Sequence, residues 1–241
     1  MQNMETENKK QALRIQTSFL NAAERKALVW IAERLPGWVT SDMMTFAGFL
    51  GACIICLGCI LSNNNILWLW LSCFGLFVNW FGDSLDGTIA RVRNQQRPRY
   101  GFFLDHNVDC INETIMFTGI GLTPLMNLPL ALMALVMYLV LSVYVYINSH
   151  LKGEFKLTYA KLGPTELRLI IMVVFIMFMY ISPMREYSRE IMVFGTPVTV
   201  GILDYIAAVI IIALTGAYLI SLWKDKKYYA ALEPLPGKEE R

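Results

Sequence analysis

Residues 83–109 read DSLDGTIARVRNQQRPRYGFFLDHNVD. The stretch holds four aspartates, Asp83 and Asp86 before a basic connector and Asp105 and Asp109 after it. Residues three or four apart share one face of a helix, so each pair presents two carboxylates from one side. The connector is short and contains Arg91, Arg93, Arg97, Pro98 and Arg99, which makes the two helices antiparallel neighbours. The pairs can therefore face each other. On both outer sides the chain runs on as apolar sequence long enough to enter a bilayer.

The whole composition agrees with that reading. Of 241 residues, 56% are hydrophobic and only 17% are charged, with a mean hydropathy of +0.45. A soluble globule carries roughly a quarter charged residues, so an ordinary soluble domain is excluded. A spanning helix needs about 20 mostly apolar residues, and six segments qualify: 39–62, 66–92, 100–122, 125–150, 165–183 and 199–223. The second and third do so only by including carboxylates. Asn63 to Asn65, Pro98, Pro124, Gly163 with Pro164, Pro183 and Pro197 punctuate the connectors.

Nineteen of the 21 basic residues fall on one side of this layout, leaving Arg185 and Arg189 on the other. The positive excess marks the cytoplasmic side, so an even number of spans with both termini and the four aspartates cytoplasmic is expected. The protein is then integral to the membrane, the inner or plasma membrane in a bacterium. Its divisions are an arm over 1–37, a membrane domain over 38–223 and a tail over 224–241. The first residues lack the apolar core of a signal peptide and are expected to be retained. Over residues 8–34, Leu13, Leu20, Ala27, Leu28 and Ile31 recur at helical spacing among charges, followed by Leu35, which suggests an amphipathic helix in the membrane interface. An arm packed on the protein itself fits the pattern equally well. Five cysteines imply no disulfide framework; Cys53, Cys56 and Cys59 lack matched His or Cys partners and read as packing residues.

An ionisable residue within a span is costly and marks function by default. Four carboxylates converging in a partly dry site repel one another unless a cation lies between them. All-oxygen ligation favours Mg²⁺, Mn²⁺ or Ca²⁺ over zinc. Magnesium sites commonly share their ion with substrate phosphates, so a phosphate-bearing substrate is the natural partner. Gly87 lets a ligand approach the helix backbone, Ala90 lies on nearly the same face, and Arg91 sits where a phosphate can be held. Gly101 gives the facing helix a matching small residue. Glu113 continues the Asp105–Asp109 face and reads as a supporting group or an interhelical hydrogen bond. Asp204, alone in the last span, reads as a packing or dimer contact.

The pattern Asp83-x2-Asp86-Gly87-x2-Ala90-Arg91-x9-Gly101-x3-Asp105-x3-Asp109 resembles, without gap or substitution, the signature of the CDP-alcohol phosphotransferase family. The segment from Thr40 to Gly48 is similar to one that some members carry at the start of the first span, with Ser41 in place of a proline. The resemblance implies six transmembrane helices and an alcohol hydroxyl attacking the β-phosphorus of a CDP-linked substrate, with CMP leaving. It implies Asp83, Asp86 and Asp105 as ligands of two Mg²⁺ or Mn²⁺ ions. Asp109 becomes the general base and a further metal ligand. Asp83, Gly87, Ala90, Arg91 and Gly101 become the CDP-binding groups. Lys152 and Arg168 correspond loosely to basic residues that hold an acceptor phosphate, and positive-inside anchoring explains either one as well. The family also implies a homodimer.

The expected activity is that of an enzyme of phospholipid biosynthesis that transfers a phosphatidyl group from CDP-diacylglycerol to a small polar alcohol or alcohol phosphate, such as inositol phosphate or glycerol phosphate. Its partners are the CDP-linked lipid, the alcohol and membrane lipids; no nucleic acid is implied. The dipeptide Asp105-His106 also occurs in the family's choline and ethanolamine phosphotransferases. It points to an alternative, a CDP-amino alcohol donor with a diradylglycerol acceptor. A cation transporter with intramembrane carboxylates accounts for the aspartates but leaves Gly87, Ala90, Arg91 and Gly101 without a role.

Overall fold

A computed structural model describes residues 21–152, 164–193 and 195–234, with the backbone of 13–14 and 154–155. The helices are α1 (Asn21–Arg34), α2 (Ser41–Leu61), α3 (Leu69–Val92), α4 (Pro98–Gly121), α5 (Leu128–Lys152), α6 (Pro164–Tyr180), the short α7 (Ser182–Glu186) and α8 (Ile202–Leu232). Four segments are long and apolar enough to cross a membrane: Ser41–Leu61, Ile66–Val92, Leu128–Leu151 and Ile202–Leu232. The other two expected spans exist as helices but fall outside that set. Helix α4 carries Arg99, Asp105, Asp109 and Glu113 along its length. Helix α6 has 17 residues, about 26 Å at 1.5 Å per residue, and the chain breaks at Ile181 ahead of Pro183.

Helices α2 and α3 form the most extensive pairing. Glycines let their backbones touch: a Cβ added at Gly51 would lie 2.4 Å from Asn79 N, and one at Gly75 would lie 2.6 Å from Ile55 N. Association in lipid gains little from hydrophobicity and relies on such close approach. Helix α4 joins on the other side, where Gly119 meets the Cys56 backbone. The cysteine triplet is thus packing material, with Cys59 fully buried beside Ser72. Phe175 and Phe178 of α6 complete a core with Ile55, Cys59, Leu69, Cys73 and Leu76.

Local sequence explains the boundaries. Thr40 caps α2 by accepting from Met43 N at 3.2 Å. Asn65 caps a single 3-10 turn that leads into α3. Pro98 occupies the first turn of α4, where its missing N–H costs nothing. Arg93 fastens the connection between α1 and α2 through the carbonyls of Leu35, Pro36 and Val39.

Two expectations need correction. The helix anticipated over 8–34 is helical from Asn21. Leu13 and Arg14 instead form a two-residue strand, β1, paired in parallel with Glu154–Phe155, β2, while the remaining residues before 21 lie outside the described ones. Helix α1 lays Leu28 and Ala32 against Leu85 and Ile89 of α3, because residues four apart on each helix form matching ridges. The last span was placed from 199, but Ser188–Val193 (β3) and Thr196–Gly201 (β4) make an antiparallel hairpin and α8 starts at Ile202. Gly195 supplies the positive φ of 83° that the reversal requires. Asp204 closes this end: buried at 3% exposure, it accepts from Asn127 N, Asn127 Nδ2 and Gly201 N, each at 2.8 Å. It therefore makes a packing contact within the chain.

Candidate active site

Asp83 of α3 meets Asp105 and Asp109 of α4, with one carboxylate oxygen of each within 4.8 Å of the others. The two helices were expected to pack directly on each other, but each packs chiefly on α2, and it is their side chains that close the gap. All three are half-buried. Crowding three carboxylates costs repulsion that a cation relieves. One cation is already present: Arg168 of α6 donates from Nη2 to Asp83 Oδ2 at 2.8 Å and from Nε to Asn79 Oδ1 at 3.0 Å. A single guanidinium leaves the cluster net negative. With oxygen donors only, the group suits a hard divalent ion.

Asp86 is turned differently. Its carboxylate accepts from Thr45 Oγ1 at 2.9 Å and from its neighbour's amide, Gly87 N, while its carbonyl accepts from Ser41 Oγ at 2.7 Å. It therefore stands apart from the close triad, tied to the first turns of α2. The segment from Thr40 to Gly48 acquires physical roles here: a cap, two hydroxyls for Asp86, Asp42 accepting from Tyr100 Oη at 3.0 Å, and Gly48 against Gly82.

Of the other expected residues, Gly87 faces the Arg91 guanidinium, whose Nη1 would lie 3.3 Å from an added Cβ. Arg91 donates to Thr88 Oγ1 at 3.0 Å. Ala90 is half-buried on the same helix, and nothing lies within 4 Å of a Cβ built at Gly101, which leaves an open surface opposite. Lys152 ends α5, and its side chain lies outside the described residues. Glu113 lies beside the hydroxyl of Tyr138 on α5, an interhelical contact. His106 stacks on Phe102 with ring centroids 4.0 Å apart and meets Tyr146 edge-on at 4.8 Å.

Asn79 is a site residue that sequence reasoning missed. Almost fully buried, it holds Arg168 with its oxygen and donates from Nδ2 to Gly48 O at 2.9 Å. The available signal was a carboxamide inside a span, one helical turn before Asp83.

These features define a helical membrane protein with a half-buried carboxylate site at one end of its helices, flanked by an arginine and small residues. The family model for CDP-alcohol phosphatidyltransferase matches residues 38–223, and the chain belongs to that family. A phosphatidylinositol phosphate synthase of Cutibacterium acnes is 34% identical over 84 residues, which is 35% of this chain and 38% of that protein. Cholinephosphotransferase 1 of Gallus gallus is 32% identical over 96 residues, covering 37% of this chain and 28% of that protein. The chain thus aligns with well under half the length of either relative. The transporter reading gains no support from these similarities.

Proposed function

We propose that the protein transfers a phosphatidyl group from CDP-diacylglycerol to a small polar alcohol or alcohol phosphate and releases CMP. The observation that carries this reading is the Asp83–Asp105–Asp109 cluster lying within the matched family segment. In the reaction the acceptor oxygen bonds to the β-phosphorus, the bond from that phosphorus to the CMP oxygen breaks, and the hydroxyl proton passes to Asp109. Asp83, Asp86, Asp105 and Asp109 would hold one or two Mg²⁺ or Mn²⁺ ions, whose charge would offset that of the pyrophosphate and of the departing CMP. To join this set Asp86 would give up its bond from Thr45. Gly87, Ala90, Arg91 and Gly101 line the path of the CDP group, with Arg91 offering donors to phosphate.

Arg168 sits ready for an acceptor phosphate, its charge spent on Asp83 until a substrate arrives, and Lys152 stands at the end of α5 as a second candidate. The membrane domain over 38–223 crosses the bilayer six times, α4 and α6 included, between a cytoplasmic arm and a cytoplasmic tail. The basic residues of the α3–α4 connection put the site on the cytoplasmic side. The protein works as a homodimer in this reading.

Similarity to a cholinephosphotransferase, together with Asp105-His106 and the aromatic rings of Phe102 and Tyr146 beside it, favours a second reading. In it a CDP-amino alcohol donates to a diradylglycerol. One experiment separates the two. The purified protein in liposomes is given CDP-diacylglycerol with a panel of polyols and polyol phosphates, or CDP-choline and CDP-ethanolamine with diacylglycerol, and CMP release is measured. Release with the first donor alone supports the main reading, and release with the second donors supports the alternative. No release from any donor refutes both.

A further inference from the structure

The carboxylate of Glu24 on α1 lies outside every role assigned so far, yet one of its oxygens joins three helices. Glu24 Oε1 accepts from Trp80 Nε1 at 2.8 Å and Ser84 Oγ at 3.5 Å, both on α3, and from Thr165 Oγ1 at 2.9 Å on α6. Trp80 and Ser84 are one turn apart on α3, and Ser84 directly follows Asp83. Thr165 precedes Arg168 by three residues on α6, so the two side chains share a face. The bonds to α3 and α6 therefore sit one step away from both partners of the Asp83–Arg168 pair. Helix α1 is itself seated on α3 by Leu28 and Ala32 and locked at its end by Arg93. Glu24 is thus a fixed post and not a wandering surface charge.

We infer that Glu24 is a positioning residue for the site: by tying the start of α6 to α3, it sets the reach of Arg168 to Asp83 and so the direction of the Asp83 carboxylate. Charge-assisted hydrogen bonds are the strong ones, and here they fall where α6 has just begun. The inference rests on the proposed reaction for its kinetic consequence, but its structural consequence is measurable without turnover.

The test uses the full chain in detergent with Glu24→Ala, Glu24→Gln and Thr165→Val, the last removing only the α6 side of the contact. Mn²⁺ binding is read by electron paramagnetic resonance and thermal unfolding by tryptophan emission. CMP release per folded molecule is read with the donor that the liposome panel identifies. Glu24→Ala and Thr165→Val are expected to weaken Mn²⁺ binding at least threefold and to lower kcat/KM for the acceptor at least tenfold, with KM for the CDP-linked donor near wild type. Glu24→Gln, which keeps an accepting oxygen, recovers most of both. Unchanged Mn²⁺ affinity in Glu24→Ala and Thr165→Val overturns the inference. So does a loss that tracks only the folded fraction, which assigns Glu24 a purely structural role. If wild-type protein binds Mn²⁺ but releases no CMP from any donor, the proposed function fails, while the Mn²⁺ comparison still decides the positioning role.

Discussion

Gly82 sits immediately before Asp83 at one of the two tightest points of the α2–α3 contact, and Gly82→Ala tests whether that contact sets the site. A Cβ at position 82 would lie 2.4 Å from Gly48 N, 2.5 Å from Met44 O and 2.7 Å from Gly48 Cα. Favourable heavy-atom separations are about 3.5–4.0 Å, and every obstructing atom is backbone, so no rotamer change relieves the clash. The helices must part by about 1 Å. Overpacking of this kind costs about 1–3 kcal/mol of stability. The larger effect is expected on turnover, because Asp83 moves with its neighbour and a misplacement of about 1 Å can cost roughly 100-fold in rate. Thermal unfolding in detergent and CMP release in liposomes measure the two losses separately. Gly216→Ala is the control: nothing lies within 4 Å of its Cβ, and alanine is favoured over glycine in a helix interior by about 1 kcal/mol. Wild-type turnover in Gly82→Ala would refute the claim that backbone contact at Gly48 and Gly82 positions the aspartates.

Further outcomes follow from the same geometry. Asp109→Asn is expected to abolish CMP release while largely preserving Mn²⁺ binding through the remaining carboxylates, and wild-type turnover in that variant removes Asp109 as the base. Chelation with EDTA is expected to stop CMP release, with Mg²⁺ or Mn²⁺ restoring it and Zn²⁺ failing to, since the donors are all oxygen; activity that survives exhaustive chelation contradicts the metal assignment. Asp204→Ala strips the acceptor from three N–H donors at the hairpin end and is expected to cost about 1–3 kcal/mol for each donor left dry. Turnover per folded molecule should hold, and a selective loss of kcat would mean that this end communicates with the site. Thr45→Val frees the Asp86 carboxylate from α2 and is expected to change the Mn²⁺ midpoint measurably, whereas an identical midpoint leaves Asp86 outside the metal set.

Much of the architecture was legible in one dimension because it depends on local periodicity. Apolar segments long enough for a bilayer, the proline and asparagine connectors and the helical spacing of the aspartates are properties of neighbouring residues. Their helices start within a few residues of where the pattern places them, although α8 runs on to Leu232, nine residues into the expected tail. The β3–β4 hairpin was missed because Ile191, Met192 and Val193 fell in what read as a connector, while Thr199, Val200 and Gly201 of β4 read as the start of the last span. Only the pairing across Gly195 distinguishes strand from span. The arm was ambiguous for a related reason: an amphipathic face fits a membrane surface or a protein surface, and only the matching ridge of Leu85 and Ile89 selects the latter for Leu28 and Ala32.

Within the site the division is sharper. The sequence by itself determined that carboxylates from two consecutive helices share one end of the molecule, because helical spacing and a short connector put them there. That α3 and α4 both pack on α2 and hardly on each other emerges only in three dimensions. Which of the four draw close was decided by the tertiary structure. Asp83, Asp105 and Asp109 converge, whereas Asp86 is held by Ser41 and Thr45 from a helix more than 40 residues away in the chain. The same holds for Arg168, whose partner Asp83 lies 85 residues earlier. Spacing along one helix says which side chains share a face. How far a carboxylate reaches, and whom it meets, depends on the distance between helices, which for α2 against α3 and α4 is set by glycine backbones in contact.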